Sequence, residues 1–295
     1  MKIALTGGTG FLGHEILKQY SGEHSFRCWA RNLDSVPIRG EKIEWIPGQL
    51  NSVEDAEILL ADCDALIHAG LYRTSESFRG HENDLSHYLD TNLLGSIRLF
   101  EAAILRGLSR IVFVSTCAVH ERILNDRKLD ETHPTWAFSH YGAHKAAIEQ
   151  FIYSFAAKHP EVSISGIRPT GIYGVHHQPA KSKWFELIRQ VVSGATVEVQ
   201  GGGKEVHVAD VAKAIGILLR ANDISGEVFN CYDRYISQHE VATIAEEIRQ
   251  NGATIVGEPK SPKNQIETGK LRQLGMEFGG RDLLVKTVRD LVSLF

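Results

Sequence analysis

The sequence predicts an α/β protein, a doubly wound parallel sheet with a smaller C-terminal lobe, and three observations predict it. Short apolar runs alternate with segments of helical periodicity through roughly the first 170 residues, a glycine-rich turn joins the first such pair, and the rhythm loosens afterwards. Strands buried on both faces read as near-continuous apolar runs, and helices between them supply the crossovers that parallel strands need.

The first strand is KIALT, followed by the helical pattern FLGHEILKQY, with Phe11, Ile16, Leu17 and Tyr20 at helical spacing. Further strands are predicted at FRCWA (26–30), KIEWIP (42–47), DALIHAG (64–70), RIVFVST (110–116) and SISGIRP (163–169). Between several of them lie the helical patterns VEDAEILLAD, DLSHYLDTNLLGSIRLFEAAILRG and YGAHKAAIEQFIYSFAAKH. Beyond residue 170 come a loop, GIYGVHHQPAKSK, then WFELIRQVVSG, VEVQGGGKEVH, ADVAKAIGILLRA, EVFNCY and two late helical patterns. With no internal repeat and no Pro/Gly/Ser linker, the chain is expected to form one continuous unit over 1–295. Residues 1–173 form mainly the sheet, 174–295 mainly the lobe, and 207–231 return to the sheet.

Composition narrows the function. A net charge of -4 with mixed signs leaves no basic stripe, so nucleic acid is not an expected partner. Cys28, Cys63, Cys117 and Cys231 are scattered without a C-x-x-C pair, which points to a reducing cytoplasm and to neither a disulfide framework nor a zinc ribbon. The N-terminal apolar run is too short for a signal peptide and no run approaches about 18 apolar residues, so neither secretion nor a membrane span is expected.

The turn TGGTGFLG places Gly7, Gly10 and Gly13 between a strand and a helix. Glycines there allow a tight turn and close backbone approach, and the following helix N-terminus offers free N–H groups to a pyrophosphate. This predicts a Rossmann-type dinucleotide site. Where an NAD site would place an acid on the ribose 2′-hydroxyl, after the second strand, the sequence has Ala30-Arg31-Asn32. An arginine there pairs with a 2′-phosphate, so NADP is the expected cofactor and NAD the alternative.

The stretch HYGAHKAA (140–147) carries two pairs at four-residue spacing, His140 with His144 and Tyr141 with Lys145. On a helix each pair shares a face. Paired histidines suggest a metal, whereas a tyrosine beside an ammonium suggests a base. The histidines have no intervening Glu and no third ligand at a telling spacing, so they read as flanking polar residues, with His140 at the mouth of a site, and no metal is expected.

With TGGTGFLG, HAGLY (68–72), VSTCAVH (114–120), Tyr141-x-x-x-Lys145 and RPTGIYG (168–174) in this order, the chain resembles the extended short-chain dehydrogenase/reductases. More narrowly it resembles the NAD-dependent epimerase/dehydratase family, typified by UDP-glucose 4-epimerase, over residues 1 to about 235. The resemblance implies a catalytic set of Thr116, Tyr141 and Lys145, with Ser115, Tyr141 and Lys145 also touching the cofactor. Tyr141 would exchange a proton with a hydroxyl or carbonyl while hydride moves to or from the nicotinamide; Lys145 would favour its anion and hold the nicotinamide ribose. It also implies cofactor contacts at Phe11, Leu12, Gln49, Leu50, Ala69, Gly70, Leu71, Pro169 and Ile172, and a steadying role for Asn92.

Two positions depart from the family pattern. Gln49 stands where an Asp usually meets adenine, and Gly203, with Lys204 adjacent, stands where sugar-nucleotide members carry an arginine on the diphosphate. A lysine supplies charge without the bidentate fork. The expected activity is therefore hydride transfer between NAD(P) and a carbinol or carbonyl, by a reductase that exchanges its cofactor. The alternatives are a nucleotide-sugar epimerase or dehydratase that retains it, and a non-catalytic NAD(P) sensor. A small-molecule substrate, in the epimerase alternative a sugar nucleotide, is expected near Arg73, Thr74, His176, His177, Gln178, Trp184 and Phe185. By resemblance, helices over 84–107 and 141–158 form a homodimer.

Overall fold

A computed structural model describes residues 1–73 and 84–295. Its strands in chain order are β1 (Lys2–Thr6), β2 (Ser25–Ala30), β3 (Ile43–Pro47), β4 (Ala65–His68), β5 (Arg110–Val114), β6 (Ser163–Pro169), β7 (Gly171–Tyr173), β8 (Val197–Glu198), β9 (Gly202–His207), β10 (Val228–Cys231), β11 (Arg234–Ser237) and β12 (Ile255–Val256). The helices are α1 (Phe11–Tyr20), α2 (Val53–Leu60), α3 (Leu85–Leu89), α4 (Gly95–Leu105), α5 (His140–Lys158), α6 (Phe185–Val192), α7 (Val208–Leu218), α8 (Gln238–Arg249), α9 (Gly269–Gln273) and α10 (Gly280–Val292).

The main sheet has seven parallel strands in the order β10-β6-β5-β4-β1-β2-β3. The chain winds outward from β1 through β2 to β3, then returns to β4 on the other side of β1. That reversal makes the β1/β4 boundary a topological switch point, where the loops after neighbouring strands diverge and leave a crevice. This is the Rossmann fold the sequence predicts. Adjacent residues of β1 serve opposite faces: Ile3 and Leu5 join a core with α1 and α7, while Ala4 joins one with α2, α4 and α5.

Beyond β6 a three-stranded sheet, β11-β9-β7, and the pair β12-β8 build the lobe around α6, α8 and α10. The chain crosses twice: α7 packs on α1, and β10 pairs with β6. Trp184 and Phe185, expected near the substrate, instead pack with the lobe core; the Trp184 ring lies 5.2 Å from that of Tyr173. Both side chains are half-buried there, and neither is among the residues that line the cleft at the C-terminal ends of β1, β4, β5 and β6.

The long helical pattern predicted over 84–107 is realised as α3 and α4 joined by a π-helical turn, Asp90–Leu94. Its extra residue brings Asn92 inward to 1% exposure. Among the described residues no helix is long and apolar enough to cross a membrane.

Candidate active site

A cleft of about 1790 Å³ opens at the C-terminal ends of β1, β4, β5 and β6. Ligand pockets for one small molecule run to about 300–1,000 Å³, so this one has room for a dinucleotide and a second molecule side by side.

Its floor at the first turn is backbone. Gly7 has φ +76, and a Cβ there would come within 2.6 Å of the Ala69 carbonyl; one at Gly13 would collide with the Gly7 carbonyl. These positions accept hydrogen only, so the turn lies flat against β4 and against α1. Gly7, Gly10, Phe11, Leu12 and Gly13 line the cleft, and so do Arg31, Ala69, Leu71, Pro169 and Ile172. The bare cradle before a helix N-terminus fits a pyrophosphate.

Gly70 lies behind this lining, with its N–H donated to Thr6 Oγ1 at 2.9 Å. Gln49 and Leu50, expected as cofactor contacts, are not among the residues that line the cleft. The Gln49 N–H donates to Asp55 at 3.0 Å, and Leu50 packs over Gly95. Just beyond, the Ser52 hydroxyl accepts the Asp55 N–H and caps α2.

The segment after β4 is wired from behind. Asn92 accepts the Tyr72 N–H at 2.8 Å and donates to the Tyr72 carbonyl at 3.0 Å. Buried His68 bonds Thr6 at 2.6 Å through Nδ1 and Ser96 at 2.8 Å through Nε2. Burial holds its pKa down at about 3, so it is a neutral link between β1, β4 and α4. Arg73 lines the cleft, whereas Thr74 lies outside the described residues.

The reactive face forms where α5 begins. Ser139 caps the helix, accepting the Gly142 N–H at 3.1 Å, so Tyr141 sits in its first turn and Lys145 one turn deeper. Thr116, Tyr141 and Lys145 line the same cleft. Thr116 Oγ1 accepts the Ala118 N–H at 3.1 Å, which fixes the hydroxyl while leaving its own hydrogen to donate. Lys145 is 5% exposed; its Nζ donates to the Val114 carbonyl at 2.8 Å and lies 4.4 Å from the centre of the Phe113 ring. Burial pushes Lys145 down to about 7, and the Glu149 carboxylate pulls the other way.

Glu149 belongs to a network the sequence reading did not identify. It takes two hydrogen bonds from Arg168, at 2.9 and 2.7 Å, and one from Ser115 at 2.5 Å. Arg168 also reaches His120 Nε2 at 3.1 Å, and His120 Nδ1 lies 3.2 Å from the Pro134 carbonyl. Burial, then the Arg168 charge, takes His120 down to about 4, which suits an imidazole that accepts from a guanidinium. Ser115 lines the cleft, with its hydroxyl hydrogen committed to Glu149. The available signal was spacing: Glu149 stands four residues after Lys145 and eight after Tyr141, on the same helix face.

The histidine pair separates. His140 lines the cleft. His144 does not remain a flanking polar residue: it is 2% exposed and bonds Tyr88 at 3.1 Å across the α3–α5 contact. Among the described residues no group of three or more His, Cys, Asp and Glu could hold a metal ion. On the lobe side His176, His177, Gln178 and Lys204 line the cleft. Phe11 and His176 stack at 5.2 Å, closing the loop after β7 over the start of α1.

Comparison with known proteins then decides the family, because residues 3–231 match the NAD dependent epimerase/dehydratase family. The chain belongs to that family. Among curated members of this epimerase/dehydratase family it is 27% identical over 241 residues to an N-acetyl-alpha-D-glucosaminyl-diphospho-ditrans,octacis-undecaprenol 4-epimerase of Escherichia coli O157:H7, covering 79% of this chain and 67% of the relative. It is 24% identical over 230 residues to a UDP-glucose 4-epimerase of Yersinia enterocolitica, covering 71% and 67%. Two solved structures share the fold. UDP-glucose 4-epimerase from Thermotoga maritima with UDP-glucose matches with a TM-score of 0.79 at 21% identity, over 99% and 98% of the two chains. Thermus thermophilus UDP-glucose 4-epimerase with NAD matches with 0.76 at 20%, over 99% of each.

Proposed function

We propose that the protein is an NAD(P)-dependent oxidoreductase that moves a hydride to or from a carbinol carbon of a sugar nucleotide, with Tyr141 as the acid/base. One observation carries this reading: Tyr141, Lys145 and Thr116 line the same cleft as the glycine turn. The bound nicotinamide supplies the hydride acceptor or donor. The protein supplies the rest. The glycine turn and the α1 N-terminus hold the pyrophosphate, Thr116 donates to the reacting oxygen, and Tyr141 takes or returns its proton. Lys145, held between the Val114 carbonyl and the Phe113 ring, stands one helical turn from the tyrosine and in its ammonium form favours the tyrosine's anion. Substrate phosphates have Lys204 available on the cleft wall.

On the cofactor we infer NADP. Arg31 lines the cleft at the end of β2, and the side-chain oxygen of the following Asn32 accepts the Asp34 N–H at 2.9 Å. The second reading is an epimerase or dehydratase that retains NAD, favoured by relatives named as epimerases and by solved neighbours containing NAD. Mass spectrometry of nucleotide released on denaturing the purified protein separates them: stoichiometric NAD removes the NADP reading, while an empty protein stabilised by NADP alone supports it.

We also propose a homodimer through α3, α4 and α5. Leu94, Leu105 and Phe151 are 43%, 87% and 41% exposed there, apolar side chains that a helix-to-helix interface would cover. Light scattering that finds only monomer at micromolar concentration removes this proposal.

A further inference from the structure

The loop leading into α5 presents two large aromatics to solvent. Phe138 lines the cleft and is 77% exposed, and Trp136 is 46% exposed. Between them Ala137 turns inward, its methyl only 2.7 Å from where a Cβ on Gly142 would sit. Burial of its own aromatic rings therefore does not hold this segment in place; a carboxylate does. Glu121 accepts the N–H groups of Phe138 and Ser139, the latter at 2.7 Å, and the Ser139 hydroxyl at 2.9 Å. Ser139 in turn caps α5. The Arg122 N–H donates to the Trp136 carbonyl at 3.0 Å, and its guanidinium lies 4.9 Å from the Trp136 ring centre.

An exposed phenylalanine forgoes the burial that normally stabilises its side chain. Here its backbone is nevertheless fixed by charge-assisted hydrogen bonds, so an open aromatic face is pre-organised three residues before Tyr141. The same cleft offers Ile123, Leu129 and Ile266 as apolar wall and Lys204 as a cation, which suits a ligand that is part apolar and part anionic. The C–H face of a pyranose is such a flat apolar surface, with slightly positive hydrogens that match the negative face of an aromatic ring.

We propose that Phe138 is a specificity-determining residue, a fixed platform on which the sugar ring of the substrate stacks while Tyr141 works on its carbinol. This rests on the sugar-nucleotide reading above. The test is calorimetric titration of the full chain, saturated with its dinucleotide, by UDP-glucose and separately by UDP. Phe138→Ala weakens UDP-glucose about tenfold and leaves UDP unchanged, Phe138→Trp restores binding to within about threefold, and Phe138→Leu does not. Parent-like UDP-glucose binding by Phe138→Ala overturns the platform alone. An equal loss for UDP transfers the stacking to the nucleobase and overturns the sugar assignment. A parent protein that binds neither ligand overturns the sugar-nucleotide reading and this inference with it. If Phe138→Ala changes only the mass seen by light scattering, the aromatic is a contact between copies and the proposal fails.

Discussion

The two ends of the cleft are built from different material. At the end proposed for the cofactor much of the surface is main chain: a glycine turn at φ +76, strand ends and a helix N-terminus, from neighbouring parts of β1, β4 and α1. At the end proposed for the substrate it is side chains from three distant stretches, Phe138, Lys204 on β9 and Ile266. A main-chain site tolerates little variation because each added atom collides with backbone. A side-chain site can change its ligand residue by residue on the same fold. Tyr141 and Lys145 stand where the two meet, and Glu149 with Arg168 ties the helix that carries them to β5 and β6.

The sharpest way to break this comparison is at the junction. Tyr141→Phe should lower kcat by about 10²–10⁴-fold while the dinucleotide still binds, since the proton acceptor is lost and the glycine turn is intact. Unaltered turnover of every substrate used by the parent would remove the catalytic assignment. Next in size is the tie itself. Glu149→Gln leaves the buried Arg168 guanidinium without its countercharge and should cost about 3–5 kcal/mol of stability in urea unfolding. A loss below about 1 kcal/mol, the level of an exposed pair, would show that the network carries no mechanical load.

A smaller effect sharpens the cofactor end. Arg31→Ala should weaken NADP by about 10- to 100-fold and leave NAD nearly untouched, as expected for one charge-assisted contact to a 2′-phosphate. Equal effects on both dinucleotides would return the site to NAD.

The smallest, per group, is pH dependence. Folding lowers His68 and His144 to about 3 and His120 and His207 to about 4, each chiefly by burial. The unfolded chain, with histidines near about 6.5, then binds protons that the folded chain refuses, so stability is fully present above that pH and falls as pH drops toward 4 and 3. Urea midpoints at pH 7, 6 and 5 should decline, and His68→Gln should flatten the slope by up to about 1.4 kcal/mol per pH unit. A level profile would mean these imidazoles accept protons in place.

Much of the fold was legible in the chain because its signals are local. The runs KIALT and SISGIRP became β1 and β6 at the expected bounds, and the helix expected over 141–158 begins one residue earlier. The π-turn at Asp90–Leu94 was not legible, since one extra residue in a helix leaves the apolar pattern almost unchanged. Nor was the packing of Leu50 over Gly95 at the start of α4, a contact between segments 45 residues apart.

By itself the sequence determined the strand–turn–helix with its glycines and the four-residue spacing that puts Tyr141 and Lys145 on one face. Those are matters of steric fit and helical period within a few residues. Only the tertiary structure decided that Glu149 meets Arg168 and Ser115, that His144 is buried while its partner His140 faces the cleft, that Trp184 belongs to a core, and that Phe138 stays open. Each of these depends on which distant strands become neighbours, and strand order is set by long-range packing of the whole sheet that no short window of sequence contains.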